Sequence, residues 1–308
     1  MKMQNLQMLM ILVLYYAAFS QLSTFPSSQK TEPSYHMGPV LASNPLNLHI
    51  IWYGEWTATQ QNIIRDFIRS LSTRVPKSPS VSDWWHTVTL YTDQTNSNVT
   101  STVNLSAESL DPNYSHGHNL TRLSMQDIVK KAFAELDFAS GMYLILTSAD
   151  VAVQDFCHGA CGFHYFTFAH VAGGVVPYAW VGNSGARCPD QCAYPFVLPK
   201  YLKPSFEPLK PPNDDADVDG MVIVIGHELA EAATNPLNNG WYGEKDTMPN
   251  EIADMCLGVY GEGAGGGYPG TVAVDRKGRA YNVNGVNGRR FLMQYLWNSR
   301  LGKCVLTT

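Results

Sequence analysis

Asp217-Val218-Asp219-Gly220-Met221-Val222-Ile223-Val224-Ile225-Gly226-His227-Glu228-Leu229-Ala230-Glu231-Ala232-Ala233 is the stretch on which the reading of this chain turns. An apolar run continued by alanines predicts the strongest helix in the sequence. Asp215, Asp217 and Asp219 imitate the start of a calcium loop, but the twelfth position, which needs Glu, holds Gly226. They read better as an acidic helix start, favoured by the helix dipole. Upstream, Leu46–Tyr53 and Met142–Thr147 read as buried strands, with further strands at Phe163–Phe168, Val175–Val181, Trp84–Tyr91 and near Ser101–Leu105. Helices are expected from Thr57 or Thr59 to Leu71, and from a Ser124/Asp127 cap to Leu136. Four prolines make Lys200–Pro212 an extended loop, and Asn284-Gly285 and Asn287-Gly288 mark turns between short strands in the tail. Helices and strands alternate early and strands dominate late. The expected fold is a single α/β domain, a mixed β-sheet packed by helices.

On the long helix, His227 and Glu231 project from one face, one turn apart. Both are metal-ligand types, and Glu228 stands where H-E-x-x-H zinc sites place their general base. Here the second histidine is replaced, giving H-E-x-x-E; a carboxylate also binds Zn²⁺. Twenty residues beyond Glu231, Glu251 would supply a third ligand. In this the segment resembles the thermolysin-like zinc peptidases, and the helix is zincin-like. Asp254 is expected either to orient His227 from behind, as a carboxylate outside the ligand set, or to compete with Glu251 for the metal. The spacing E-x-x-D departs from that family's. A polar helix face with no metal explains the same residues more plainly. His158 and His164, beside cysteines, read as surface or packing residues. The glycine-rich stretch Gly258–Gly270 lacks a following Lys-Ser/Thr and is no phosphate cradle.

Residues 1–20 read as a signal peptide: Lys2, the uncharged run Leu6–Phe19, then small residues around Ser20. The run is shorter than the ~20 residues a membrane span needs, and no later segment is long and apolar enough to span. Residues 21–45, rich in Ser and Pro, read as a linker or pro-segment, leaving 46–308 as the domain. Six cysteines in an exported chain read as disulfides. Zinc knuckles at the two C-x-x-x-C pairs are the alternative. Cys157 and Cys161 are expected to cross-link to Cys188 and Cys192, and Cys256 to Cys304. Sequons at Asn98, Asn104, Asn113 and Asn119 cluster in one stretch, an exposed glycosylated patch. A net charge of −5 with 15 % charged residues argues against a nucleic-acid or polybasic membrane role, which needs a dense cationic face.

Four passages together resemble one plant family: His49-Ile50-Ile51-Trp52-Tyr53-Gly54-Glu55-Trp56; Cys157-His158-Gly159-Ala160-Cys161-Gly162-Phe163-His164-Tyr165; Ala179–Asn183 with Cys188-Pro189-Asp190-Gln191-Cys192; and Gly226–Pro236. The chain is similar to the Exordium-like, or phosphate-induced, proteins from about Leu46 to its end. That resemblance implies secretion to the apoplast or cell wall and a link to brassinosteroid-responsive growth and cell expansion. It supplies no chemistry, so two functions stand. In one, a metal-binding, zincin-like scaffold serves binding or signalling, its partner a cell-wall component, peptide or receptor. In the other, the protein is a zinc-dependent peptidase or hydrolase in which Glu228 takes the proton from a metal-activated water. The sequence carries no signal of an oligomeric state.

The export reading makes a direct prediction. The secreted chain should begin near Gln21, and glycosidase should remove the mass of more than one glycan; retention of Met1, or no mass shift, contradicts it.

Overall fold

The computed structural model describes residues 31–136, 141–202, 207–243 and 249–308. The expected signal segment 1–20, and residues 21–30 of the stretch that follows it, lie outside the described residues. The framework consists of Leu46–Tyr53 (β1), Ala58–Ser70 (α1), Val81–His86 (α2), Val103–Asp111 (β2), Arg122–Leu136 (α3), Met142–Thr147 (β3), Gly162–Phe166 (β4), Pro177–Gly182 (β5) and Ala216–Thr234 (α4).

The five strands form one sheet in the order β2-β1-β3-β5-β4. The first four run parallel, while β4 lies antiparallel to β5 with His164 opposite Ala179. The sheet is therefore mixed, and β4 is its edge. Alternation on β1 sends Leu48, Ile50 and Trp52 to one face, where α1 and α4 pack. It sends Ile51 and Tyr53 to the other, against Met125, Ile128 and Val129 of α3. Both faces are covered, which is why β1 and β3 read as nearly continuous apolar runs. No helix among the described residues is long and apolar enough to cross a membrane.

Local chemistry fixes the ends of the elements. Thr57 begins α1 through a capping box with Gln60. Asp215 accepts from the Val218 N–H and so starts α4, while Asp217 and Asp219 occupy its first turn. Two sequence expectations are corrected. Trp84–Tyr91 is not a strand: a Ser80–Asp83 capping box opens α2, and Trp84 and Trp85 are both buried on its inner side. α3 begins at Arg122, ahead of the expected Ser124 start, with Thr121 accepting from the Ser124 N–H.

The described part of the supposed linker is also packed. Ser34–Tyr35 pairs with Trp241–Tyr242, the Leu41 N–H donates to the Ala233 carbonyl at 2.8 Å, and Val40 is buried. Apolar side chains in an otherwise polar stretch bind it across the C-terminal end of α4.

Three disulfides join Cys157 to Cys188, Cys161 to Cys192 and Cys256 to Cys304. The first two run side by side and tie the segment entering β4 to the segment leaving β5. Each closes a 31-residue separation, which a chain-entropy account values at about 3–4 kcal/mol for a single bridge. The four sequon asparagines are exposed. They lie along and around β2, the edge opposite β4.

Close approach sets the place of α4. A Cβ on Gly220 would come within 2.8 Å of the Ala193 Cα and 2.9 Å of its Cβ, next to the Cys192 bridge. Gly220→Ala gains up to about 1 kcal/mol in helix propensity but forces backbone apart at a cost of about 1–3 kcal/mol. Chemical denaturation should show a net loss of stability; a stabilised variant would mean that this contact does not position α4.

Candidate metal centre

Residues from three parts of the chain meet at the middle of α4. His227, Glu228 and Glu231 come from the helix. Glu251 and Asp254 come from the turn 250–256, tethered at Cys256 by its disulfide to Cys304. His164 comes from β4, where alternation turns it to the same side as Gly162, toward α4. The helix comes close because Gly162 has no side chain: a Cβ there would lie 2.9 Å from Val224 and 3.0 Å from the Glu228 Cγ.

Two triads result, and Glu231 belongs to both. In the first, the His227 Nε2 lies 3.2 Å from the Glu231 Oε1 and 3.4 Å from the Asp254 Oδ1. Donors held about 2.0–2.1 Å from a tetrahedral zinc stand about 3.3 Å apart, so this spacing fits a metal cage. In the second, the His164 Nδ1 lies 3.5 Å from the Glu228 Oε2 and 3.9 Å from the Glu231 Oε2.

The imidazole of His227 is held from behind. The Gln294 Nε2 donates to the Ala253 carbonyl at 2.6 Å, leaving its Oε1 3.5 Å from the His227 Nδ1. Nδ1 is then the donor and Nε2 turns its lone pair toward two carboxylate oxygens. Only a proton or a metal ion makes that arrangement favourable.

The expected residues divide accordingly. His227 and Glu231 come together, and Asp254 joins them at the same ring nitrogen. Glu251 is turned elsewhere. Its Oε1 accepts from the Asn235 Nδ2 at 2.7 Å and faces the His164 Nε2 at 3.5 Å. Glu228 faces His164. Sequence reasoning read His164 as a surface or packing residue and missed Gln294 and Asn235. His158 is exposed, but the His164 side chain is only 5 % exposed and its Nε2 has no hydrogen-bond partner. A lone histidine in an aromatic strand two residues after a glycine was the available signal, and only the position of α4 gives it meaning.

Four carboxylates and two imidazoles share this pocket, and their proton affinities follow. Burial alone would lower His164, but Glu251, Glu228 and Glu231 outweigh it and raise the group to about 9. His227 is likewise raised, burial being overcome by Glu231 and Asp254. Burial pushes Glu231 up to about 8 against the pull of His227, and it raises Glu251 against that of His164. The least buried member is Asp254, with its side chain 35 % exposed, so the first triad opens to solvent on that side.

The fold and cluster define a disulfide-tied, three-layer α/β protein with an acidic, histidine-containing centre beneath its sheet edge. It belongs to the family defined by the phosphate-induced protein 1 conserved region, whose model matches residues 34–307. It is similar to the protein EXORDIUM-like 5 of Arabidopsis thaliana, 53 % identical over 90 % of this chain and 78 % of the relative. EXORDIUM-like 3 from the same plant is 52 % identical over 91 % of this chain and 86 % of the relative. The protein PHOSPHATE-INDUCED 1 of Nicotiana tabacum is 38 % identical over 88 % and 86 %. No solved structure matches the chain with significance.

All four shifted groups bind protons more tightly in the folded chain than when free. Their contribution to stability is thus fully present below their ordinary values, 4.5 for Glu and 6.5 for His. It is lost as pH rises through about 8 for Glu231 and about 9 for His164. Metal-free protein should therefore lose thermal stability from pH 6 to pH 9. Saturating zinc should raise Tm more at pH 8 than at pH 6, because it competes with those protons. A zinc-induced shift independent of pH would contradict this account of the cluster.

Proposed function

We propose that this protein is secreted to the apoplast or cell wall and acts there in brassinosteroid-responsive growth. In this reading α4 carries a zinc centre that shapes a surface for a wall component, peptide or receptor. The observation that supports the metal is the convergence of the His227, Glu231 and Asp254 donor atoms, all within 4.8 Å of one another, with the His227 Nε2 3.2 and 3.4 Å from two carboxylate oxygens. Three disulfides and four exposed sequon asparagines support the extracellular location.

His227, Glu231 and Asp254 would hold the ion, with Gln294 fixing the His227 tautomer. The Glu231 N–H belongs to the helix, and its side-chain Oε1 also accepts from the Asp254 N–H at 3.1 Å, which locks turn and helix together. A zinc ion bound there supplies Lewis acidity and a lowered water pKa.

A second reading, a zinc-dependent peptidase or hydrolase, is favoured by one observation. Glu228 lies on the same helix turn as the cage, and its carboxylate faces His164. In that reading Glu228 would serve as the general base, held in place by His164.

Purified full-length protein should carry about one zinc per chain. His227→Ala should lose it, Asp254→Asn should weaken binding at least tenfold, and Glu251→Gln should keep it. Glu228→Gln should retain the metal. If that variant keeps growth-promoting activity, the scaffold reading holds; if it loses a measurable peptidase activity with metal retained, the hydrolase reading replaces it. Protein that stays metal-free in supplied zinc rejects both.

A further inference from the structure

The tail of the chain carries a second feature, independent of the metal cluster. Arg276, Lys277, Arg279, Arg289 and Arg290 line an open cleft of about 790 Å³. Two hairpin turns build it. One joins Ala273–Val274 to Ala280–Tyr281, and the other joins Val283–Asn284 to Arg290–Phe291. The whole chain carries a net charge of −5, so this concentration of cations is a segregation of charge.

The acids around the cleft are engaged as supports. Asp275 accepts from the Arg279 Nε at 2.7 Å, and Asp214 accepts from its Nη1 at 3.0 Å. Asp66 accepts from the Arg289 Nε at 2.8 Å and from the Asn287 Nδ2 at 2.9 Å. The Asn213 Oδ1 accepts from the Arg289 Nη1 at 3.0 Å, while Asp219 accepts from the Asn213 main-chain N–H and Nδ2, and the Nδ2 also donates to the Arg290 carbonyl. The Arg290 guanidinium stacks on Tyr281, 4.4 Å from the ring centre. These contacts fix three guanidinium groups in place; Arg279 is engaged at all three nitrogens by Asp275 and Asp214, so Arg276, Lys277, Arg289 and Arg290 are the cations left to meet a ligand. Five cations line the cleft against Asp66 and Asp275, with Asp214 also pairing Arg279, so cations still outnumber carboxylates and the cleft stays positive.

We propose that this cleft binds an acidic oligosaccharide, a chain of carboxylate-bearing sugars. Arginine forks match carboxylates two bonds at a time. The cations are spread along two turns, which suits charges repeated along a chain better than one compact anion. Asn287, tied to Asp66 through its amino group, keeps its amide oxygen for a sugar hydroxyl. The lining holds no aromatic side chain and so offers no stacking platform for nucleic-acid bases. It also lacks the large apolar side chains that a bilayer-inserting surface needs.

The test is a titration of the full-length secreted protein with a defined-length oligogalacturonate. A neutral oligogalactan of equal length, inorganic phosphate and single-stranded RNA serve as comparisons. Arg276 and Lys277 are exposed, so the double variant Arg276→Glu/Lys277→Glu leaves the fold intact, as circular dichroism and the Tm would verify. The acidic oligomer should bind, bind more weakly as salt rises, and bind at least tenfold more weakly to the double variant. Absent binding, equal binding of the neutral oligomer, or an unaffected double variant overturns the proposal. So does phosphate competing as well per anion, which marks a simple anion site, or tighter binding of RNA.

Discussion

The Glu231 carboxylate, buried at 5 % exposure, is shared by two histidines, its Oε1 facing His227 and its Oε2 facing His164. Glu228, Glu251 and Asp254 crowd the same space. Taking that many carboxylates out of water costs several kcal/mol for each ion unless cations meet them. In the metal-free chain protons do this, held by imidazoles whose affinities rise well above their ordinary values. In the proposed reading a divalent ion would meet the same need at the His227 side and leave the His164 side to Glu228 and Glu251.

Three devices bring the charges together. Gly162 lets α4 settle against the antiparallel edge strand, and Gly220 lets it approach the Cys192 bridge. The Cys256–Cys304 disulfide pins the turn that carries Asp254. Gln294 spans the last gap: its main-chain carbonyl accepts from the Trp84 indole at 2.8 Å while its side chain reaches Ala253 and His227. α2, which bears Trp84, thus takes part in fixing the centre through Gln294.

The parts of this arrangement legible in the sequence are those governed by local pattern. β1, β3 and α4 stand close to where their apolar runs place them, because strands buried on both faces and a buried helix leave unbroken hydrophobic signatures. The H-E-x-x-E turn was legible for the same reason, four residues being one turn of one helix. Trp84–Tyr91 misread as a strand because its aromatic and β-branched residues carry strand propensity, while the deciding capping box lies at Ser80 and Asp83. Contacts made across the fold left no such trace. Glu251 and Asp254 are three residues apart, and which one faces His227 depends on the path of the turn 250–256. His164 and Gln294 reach the centre from a sheet edge and from the tail, and no sequence spacing joins them to α4.

The central claim is that His227, Glu231 and Asp254 are built to hold an ion. It is tested most directly by anomalous diffraction at the zinc edge from crystals of the secreted protein grown with zinc. The account predicts one strong peak about 2 Å from the His227 Nε2, the Glu231 Oε1 and the Asp254 Oδ1. Peaks confined to surface residues, with His227 and Glu231 still directly paired at full zinc, would contradict it.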